Sequence, residues 1–289
     1  MKTLFTVFLS VLAMGFAHCV APAPAFALDA SQMPLRVGLT PTFPNDQYRA
    51  LEDWRRYLEH RLARKVEFIR RDSYIETMDL LRLQKIDFAW ICDYPYVFFK
   101  GQSRLLAVPV YAGRPSYSSY LIVPAKDRDT SSIAQLKGRV FAYSDPYSNT
   151  GYLTPRFQIQ QLGQDPSNFF RKTFFTWGHR NTIEAVAAGL AHGGAVSSHV
   201  WQTLAKAKPE LTAATRIVTR SAEYGGPPFV ARSLIGDAEF REMQRALLAM
   251  NEDEHGRELL AGLNLERFVL GDPRLYDRVS QMIRIFGKP

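Results

Sequence analysis

The sequence predicts an α/β protein built as two lobes, with the chain crossing from one lobe to the other twice. Three observations carry that expectation. Short apolar strand-like runs alternate with amphipathic helix-like stretches along most of the 289 residues, the pattern of helices packed on sheets through right-handed crossovers. The length exceeds the usual size of a single hydrophobic core. Two further strand-like runs, 119–123 and 215–219, bracket the middle of the chain. They would lead into and out of an inserted lobe and together form a hinge, giving lobe 1 as 28–121 with 218–289 and lobe 2 as 122–217.

The first 27 residues read as an export signal. Lys2 precedes the apolar run Leu4 to Ala17, and Ala25-Phe26-Ala27 supplies the small-x-small pattern of a cleavage site after Ala27. The run is shorter than the roughly 20 residues of a spanning helix and breaks toward Pro22 and Pro24. Cys19 follows His18, a poor fit to the small residue that lipid-attachment signals require. Cleavage would leave Cys92 as the single cysteine, so the stability of roughly 260 residues must come from packing rather than a disulfide.

After the signal, Leu35 to Leu39 reads as a strand, followed by a Pro-rich turn and a helix from Asp46 to Leu62. Leu51, Trp54, Leu58 and Leu62 keep the three-to-four spacing that buries one helix face. Lys65 to Arg70 alternates as a strand. Ser73 and Glu76 form a capping-box pair ahead of a helix carrying Ile75, Met78 and Leu81. Ile86 to Cys92 is an apolar strand. The middle repeats the plan, with strands at 139–143, 173–176 and 194–196 and helices at 150–162 and 181–190. After strand 229–231 the chain turns helical over 239–250, 252–263 and 273–286. Strand-helix-strand units of this kind predict mostly parallel sheets.

The net charge of +8 falls to +7 without Lys2, the only charged residue before Leu28. Basic and acidic residues are interspersed, as in Glu52-Asp53-Trp54-Arg55-Arg56, which marks a solvated helix face. No basic stripe with interleaved aromatics argues for nucleic acid; a diffuse positive field favours collecting small anions.

The stretch Tyr143 to Arg156, YSDPYSNTGYLTPR, places Ser148, Asn149, Thr150 and Gly151 between a strand and a helix. Unpaired N–H groups at a helix start and the helix dipole together favour an anion, and in open α/β sheets this end of the strands is where ligands bind. Read locally, Ser148 or Thr150 serves equally as an N-cap and Asp145-Pro146 as a turn.

DFAWICDYPY (87–96), YSSYLIV (117–123), YSDPYSNTGYLTP (143–155), GHRNTIEAVAA (178–188) and GGAVSSHVW (193–201) resemble, in that order and spacing, the phosphate, phosphite and phosphonate solute-binding proteins of ABC importers. The resemblance covers nearly all of the chain after the signal. It implies the two-lobed type II periplasmic binding protein fold, closing on a small oxyanion without chemistry or cofactor, in a monomer that presents its ligand to an ABC permease or to a sensor histidine kinase. It further implies that Ser148, Asn149 and Thr150 hold the oxyanion, that Tyr117 and His179 donate to it, and that Thr40, Cys92 and Tyr94 form the facing wall.

Two departures bear on the ligand. Ser197 stands where the family's aminoalkylphosphonate binders carry a carboxylate, and a serine cannot neutralise an ammonium; Glu223, after the second hinge strand, is the substitute to consider. Cys92 stands where phosphorus-binding members have no thiol, while arsenite-sensing relatives use a pocket cysteine, so Cys92 is either a buried small hydrophobe or an arsenic ligand. His192 and His199 lack the spacing of a metal site. Cys92 has no nucleophile signature around it and would have to borrow a base such as His179 from the other lobe.

Overall fold

The computed structural model of the chain describes residues 33–41 and 48–286. The expected signal segment, with Cys19, lies outside those residues, as does the start of the helix expected from Asp46. Two mixed sheets organise the fold. The first takes its strands from both ends of the chain, in the order β13-β4-β12-β3-β1-β2. It begins with β1 (Leu35–Leu39), α1 (Tyr48–Leu62), β2 (Val66–Arg70), α2 (Tyr74–Arg82) and β3 (Phe88–Trp90). The short helix α3 (Asp93–Phe98) and the strand β4 (Ser103–Val110) follow. A two-residue strand β5 (Ser116–Tyr117) then leads to β6 (Ser119–Pro124), the first strand of the other sheet.

The second sheet has the order β10-β6-β9-β7-β8. Its elements are β7 (Val140–Tyr143), a π-helical turn at Asn149–Leu153, α4 (Thr154–Gln161), β8 (Lys172–Phe175), α5 (His179–Ala187), β9 (Gly193–Ser197), α6 (Ser198–Ala207), α7 (Pro209–Ala213) and β10 (Thr215–Arg220). The chain returns through β11 (Tyr224–Gly225) to β12 (Phe229–Arg232), α8 (Asp237–Leu248), α9 (Glu254–Gly262), β13 (Arg267–Leu270) and α10 (Asp277–Phe286). β5 and β11 pair with each other, Tyr224 opposite Tyr117, as a ribbon between the two sheets.

The expectation of mostly parallel sheets needs correcting in detail. β1 pairs in parallel with β2 and β3, and β7 with β8 and β9, as the helical crossovers require. β12 runs antiparallel to both β3 and β4, and β6 antiparallel to β9 and β10. The strands that reach a sheet by way of the β5–β11 crossing enter it against the direction of their neighbours.

The expected helix face buries as its spacing implies. Leu51, Trp54 and Leu58 enter the first core, where the Trp54 ring meets Phe68, Trp90 and Phe229 edge-on. Each such side chain contributes roughly 1.5–3 kcal/mol by leaving water. At the head of α2, Ser73 Oγ accepts from the Glu76 N–H, while Glu76 Oε2 accepts from the N–H of Asp72 rather than Ser73, so the capping box is completed one residue early.

The lobes are closed on each other. On one side Phe98 and Phe99 pack against Tyr147, and the Tyr74 N–H donates to Asp145 Oδ2 at 3.1 Å. α10 reaches across to α4 through Phe286 and Phe157. On the other side Tyr111 donates to Gln202, His199 Nε2 to Leu263 O at 2.9 Å, and Asn264 Nδ2 to Thr203 Oγ1 at 3.1 Å. No helix among the described residues is long and apolar enough to cross a membrane.

Candidate oxyanion site

The turn after β7 owes its shape to two residues. Ser148 is extended, and its Oγ caps the helix by accepting from the Gly151 N–H at 3.0 Å. Pro155 has no N–H to return to the Gly151 carbonyl; the Ser144 N–H fills that role at 3.2 Å and ties the turn to the end of β7. The N–H groups of Tyr152 and Leu153 both reach the Ser148 carbonyl, which widens the first turn to π geometry, a form often found at functional sites. Ser119 Oγ holds the Thr150 carbonyl at 2.6 Å. Thr150 Oγ1 is buried with no hydrogen-bond partner.

His179 is the first residue of α5, where a helix was expected only from residue 181. Its Nδ1 accepts from the Ser197 N–H at 3.2 Å and lies 2.9 Å from Ser144 Oγ, so the ring proton sits on Nε2. That Nε2–H donates toward Ser148 Oγ at 3.4 Å. Burial holds the imidazole well below its ordinary range, at about 3, so it is a neutral donor. Ser148 Oγ thus accepts twice, from Gly151 and from His179, and its own hydrogen is left to give.

Facing the turn is a side chain that sequence reasoning passed over. Asp93, the first residue of α3, is completely buried. Its Oδ1 accepts from Tyr117 OH at 2.7 Å, from the Tyr94 N–H at 3.0 Å and from Cys92 Sγ at 3.0 Å. Its Oδ2 accepts from Asn149 Nδ2 at 2.7 Å, and Thr154 Oγ1 fixes the amide's orientation by donating to Asn149 Oδ1. Burial pushes the carboxyl up to about 6 despite these donors. The available signal was an acidic residue inside an otherwise apolar strand end, between Cys92 and Tyr94; read locally it passes for a helix-start acid.

The structure therefore gathers Ser148, Asn149, Thr150, His179, Tyr117 and Cys92 in one buried cluster between the sheets. Thr40 is buried at the end of β1 and donates to the Trp90 carbonyl. Tyr94 meets the Phe98 ring edge-on and the Tyr147 ring at a tilt. The Ser197 hydroxyl caps α6 by accepting from the Val200 N–H, and its backbone N–H orients His179, so it acts on the site through the imidazole. Glu223 does not replace the missing carboxylate: just before β11 it is bound at the surface to Arg114 and Ser116.

Cys92 is buried against Tyr74, Tyr94, Tyr117 and Leu153, as a small core residue would be. Burial and the Asp93 carboxylate push its thiol well above its ordinary value, so it stays protonated and donates to Asp93 instead of offering a thiolate. No group of three His, Cys, Asp or Glu side chains among the described residues could hold a metal ion.

Two α/β lobes joined by a narrow ribbon and closed over a turn of hydroxyl, amide and imidazole donors define a periplasmic binding protein. The chain belongs to the family described as ABC transporter, phosphonate, periplasmic substrate-binding protein, whose pattern matches residues 37–276. It is 23% identical over 271 residues to a probable ABC transporter phosphite-binding protein of Prochlorococcus marinus, covering 88% of this chain and 90% of that one. It is 24% identical over 225 residues to the phosphonates-binding periplasmic protein of Escherichia coli, covering 74% of this chain and 65% of that one. Among solved structures, a binding-protein component of a Pseudomonas aeruginosa ABC phosphonate transporter superposes with a TM-score of 0.81 at 22% identity, covering 88% of this chain and 86% of that one. The Prochlorococcus marinus protein in complex with methylphosphonate superposes at 0.79 with 22% identity, covering 88% and 98%.

Proposed function

We propose that this protein captures a small phosphorus oxyanion (phosphate, phosphite or a simple alkylphosphonate) between its lobes and presents it to an ABC importer. The observation that carries the reading is the Thr150 hydroxyl, buried without a partner in the same turn as Ser148, whose Oγ accepts from Gly151 and His179 and keeps its own hydrogen to give. A buried hydroxyl left unpaired costs about 1–3 kcal/mol, a cost that an oxyanion accepting from it would remove. The lobes, 28–121 with 218–289 and 122–217, would open about the strands β6 and β10 and the β5–β11 ribbon, and the closed face would be what the permease reads. Ser197 offers no carboxylate, Glu223 is engaged with Arg114 and Ser116, and Asp93 already accepts from Cys92, Tyr94, Tyr117 and Asn149, which disfavours an aminoalkyl ligand. Export with cleavage after Ala27, and action as a monomer, complete the proposal.

Thermal unfolding of the mature, ligand-stripped protein against phosphate, phosphite, methylphosphonate, aminoethylphosphonate and sulfate tests it. A ligand at about 100 times its dissociation constant adds roughly 2.7 kcal/mol. The expected result is a clear shift with at least one phosphorus oxyanion, with the ligand recovered unchanged. No shift with any of them would overturn the reading.

A further inference from the structure

We propose that His199 is a pH-sensitive latch between the lobes: closure buries its ring in a contact apart from the oxyanion turn, and protonation of the ring releases that contact, so the ligand is held near neutral pH and let go in acid. The inference rests on the oxyanion reading above and adds to it a condition for release. His199 lies in the first turn of α6, in lobe 2, and is buried. Part of what covers it belongs to lobe 1. Its Nε2 is 2.9 Å from the Leu263 carbonyl at the end of α9, a group that only accepts, so the ring donates there. The Tyr111 ring, just past β4, meets the imidazole at 5.0 Å.

The contact continues along the same helix. Thr203 Oγ1 donates to the His199 carbonyl at 2.7 Å and accepts from Asn264 Nδ2 at 3.1 Å, while Lys206 Nζ donates to Asn264 Oδ1. Gln202 joins Tyr111 to the Tyr120 hydroxyl of β6. The Leu263–Asn264 segment meets α6 only through space, because the chain between them leaves lobe 2 by β10 and returns through β11 to lobe 1. Rotation of the lobes about β6 and β10 would draw that segment off α6 and return His199 to water.

A neutral ring suits the closed contact and a charged one does not. Burial holds the imidazole down to about 4, against the pull of the Leu263 and Asn264 backbone toward the charged form. Among the described residues no ion pair joins His199. The acid closest in the chain to Asn264 is Glu266, which accepts from the Gly113 N–H and lies 3.8 Å from Arg267. The charge inside the contact is a like one, the Lys206 ammonium, which disfavours a second cation. Burial keeps Tyr111 neutral, and His179 at the head of α5 as well. In the open form a hydrated imidazole returns toward its ordinary value of about 6.5. Below that pH the open form binds a proton that the closed form rejects, so closure is fully favoured above 6.5 and weakens as the pH falls toward 4.

Calorimetric titration and small-angle X-ray scattering of the wild-type protein and His199→Gln, with phosphate, phosphite and methylphosphonate at about pH 7.5 and about pH 5, test the latch. Glutamine keeps a donor for the Leu263 carbonyl and takes no proton. Titration of the ligands, and of Asp93, is common to both proteins and cancels in their ratio. The expected result is equal affinity at the higher pH and about thirtyfold weaker binding by wild type than by the variant at the lower one. At a fixed ligand concentration that closes both at the higher pH, acid should expand wild type more than the variant. Equal pH dependence in the two proteins would overturn the proposal. His199→Asn serves if the glutamine variant does not fold, and wild-type scattering decides alone if neither folds, since a ligand-bound form just as compact in acid also overturns it. Binding without a His199-dependent acid loss defeats only this inference, whereas no binding of any phosphorus oxyanion at either pH defeats the functional reading beneath it.

Discussion

Replacing Thr150 by valine should move stability and affinity in opposite directions. The two side chains have nearly the same shape, and the residue is completely buried, so the substitution removes a hydroxyl without opening a cavity. Thr150 Oγ1 has no hydrogen-bond partner. The threonine therefore carries a desolvation penalty of about 1–3 kcal/mol that valine does not. In the ligand-free protein, Thr150→Val should raise the urea midpoint by the equivalent of that penalty, with an unchanged slope. In the complex the same hydroxyl would donate to a charged oxygen, a bond worth about 1.5–3 kcal/mol, so phosphorus-oxyanion affinity should fall roughly ten- to hundredfold. Urea unfolding read by fluorescence and calorimetric titration with the best ligand of the panel measure both. Lost stability in the variant, or affinity equal to wild type, would refute the assignment of Thr150 to the ligand.

Two further expectations follow from the packing. Gly151→Ala would place a Cβ 2.5 Å from Ser144 Cβ and Oγ and 3.0 Å from Ser148 Oγ, so it should cost about 1–3 kcal/mol by overpacking and weaken oxyanion binding through the displaced His179. Wild-type stability and affinity would show that the turn has room to spare. Burial also lowers His199 from 6.5 to about 4, so the native state keeps it neutral while the unfolded chain binds a proton below about pH 6.5. Its contribution is present above that pH and is lost as the pH falls toward 4, on the order of 3 kcal/mol in all. Asp93, raised from 3.8 to about 6, acts in the opposite sense, with stability lost as pH rises through 6. Urea unfolding from about pH 7 to 4 should therefore show a smaller acid loss in His199→Gln than in wild type; equal losses would mean that His199 is not held neutral.

Much of the site was legible because its signals are short-range. The crowding of hydroxyl and amide side chains between an apolar strand and a helix is visible in Tyr143 to Arg156 itself, and Pro155 and Gly151 mark an irregular helix start by their backbone chemistry. The strands 119–123 and 215–219 were readable as a bracket because β-branched runs carry a strong local preference. The aspartate at position 93 was not, since nothing in Cys92-Asp93-Tyr94 says that Tyr117 and Asn149, 24 and 56 residues away, will converge on it. Nor could local pattern separate Ser197 as ligand contact from Ser197 as helix cap, because the same hydroxyl suits both.

By itself the sequence determined the alternation of strands and helices, the two crossings between lobes and the position of the turn rich in hydroxyl and amide side chains. Each depends on periodicity or on the conformational preferences of a few adjacent residues. Only the tertiary structure decided the mixed direction of the sheets, the tautomer of His179, the protonation of Cys92 and the place of Asp93 at the centre of the site. Those depend on which groups burial brings together and on the loss of water around them. In a buried cluster the charge state of each group is set by its neighbours in space and not by its neighbours in the chain.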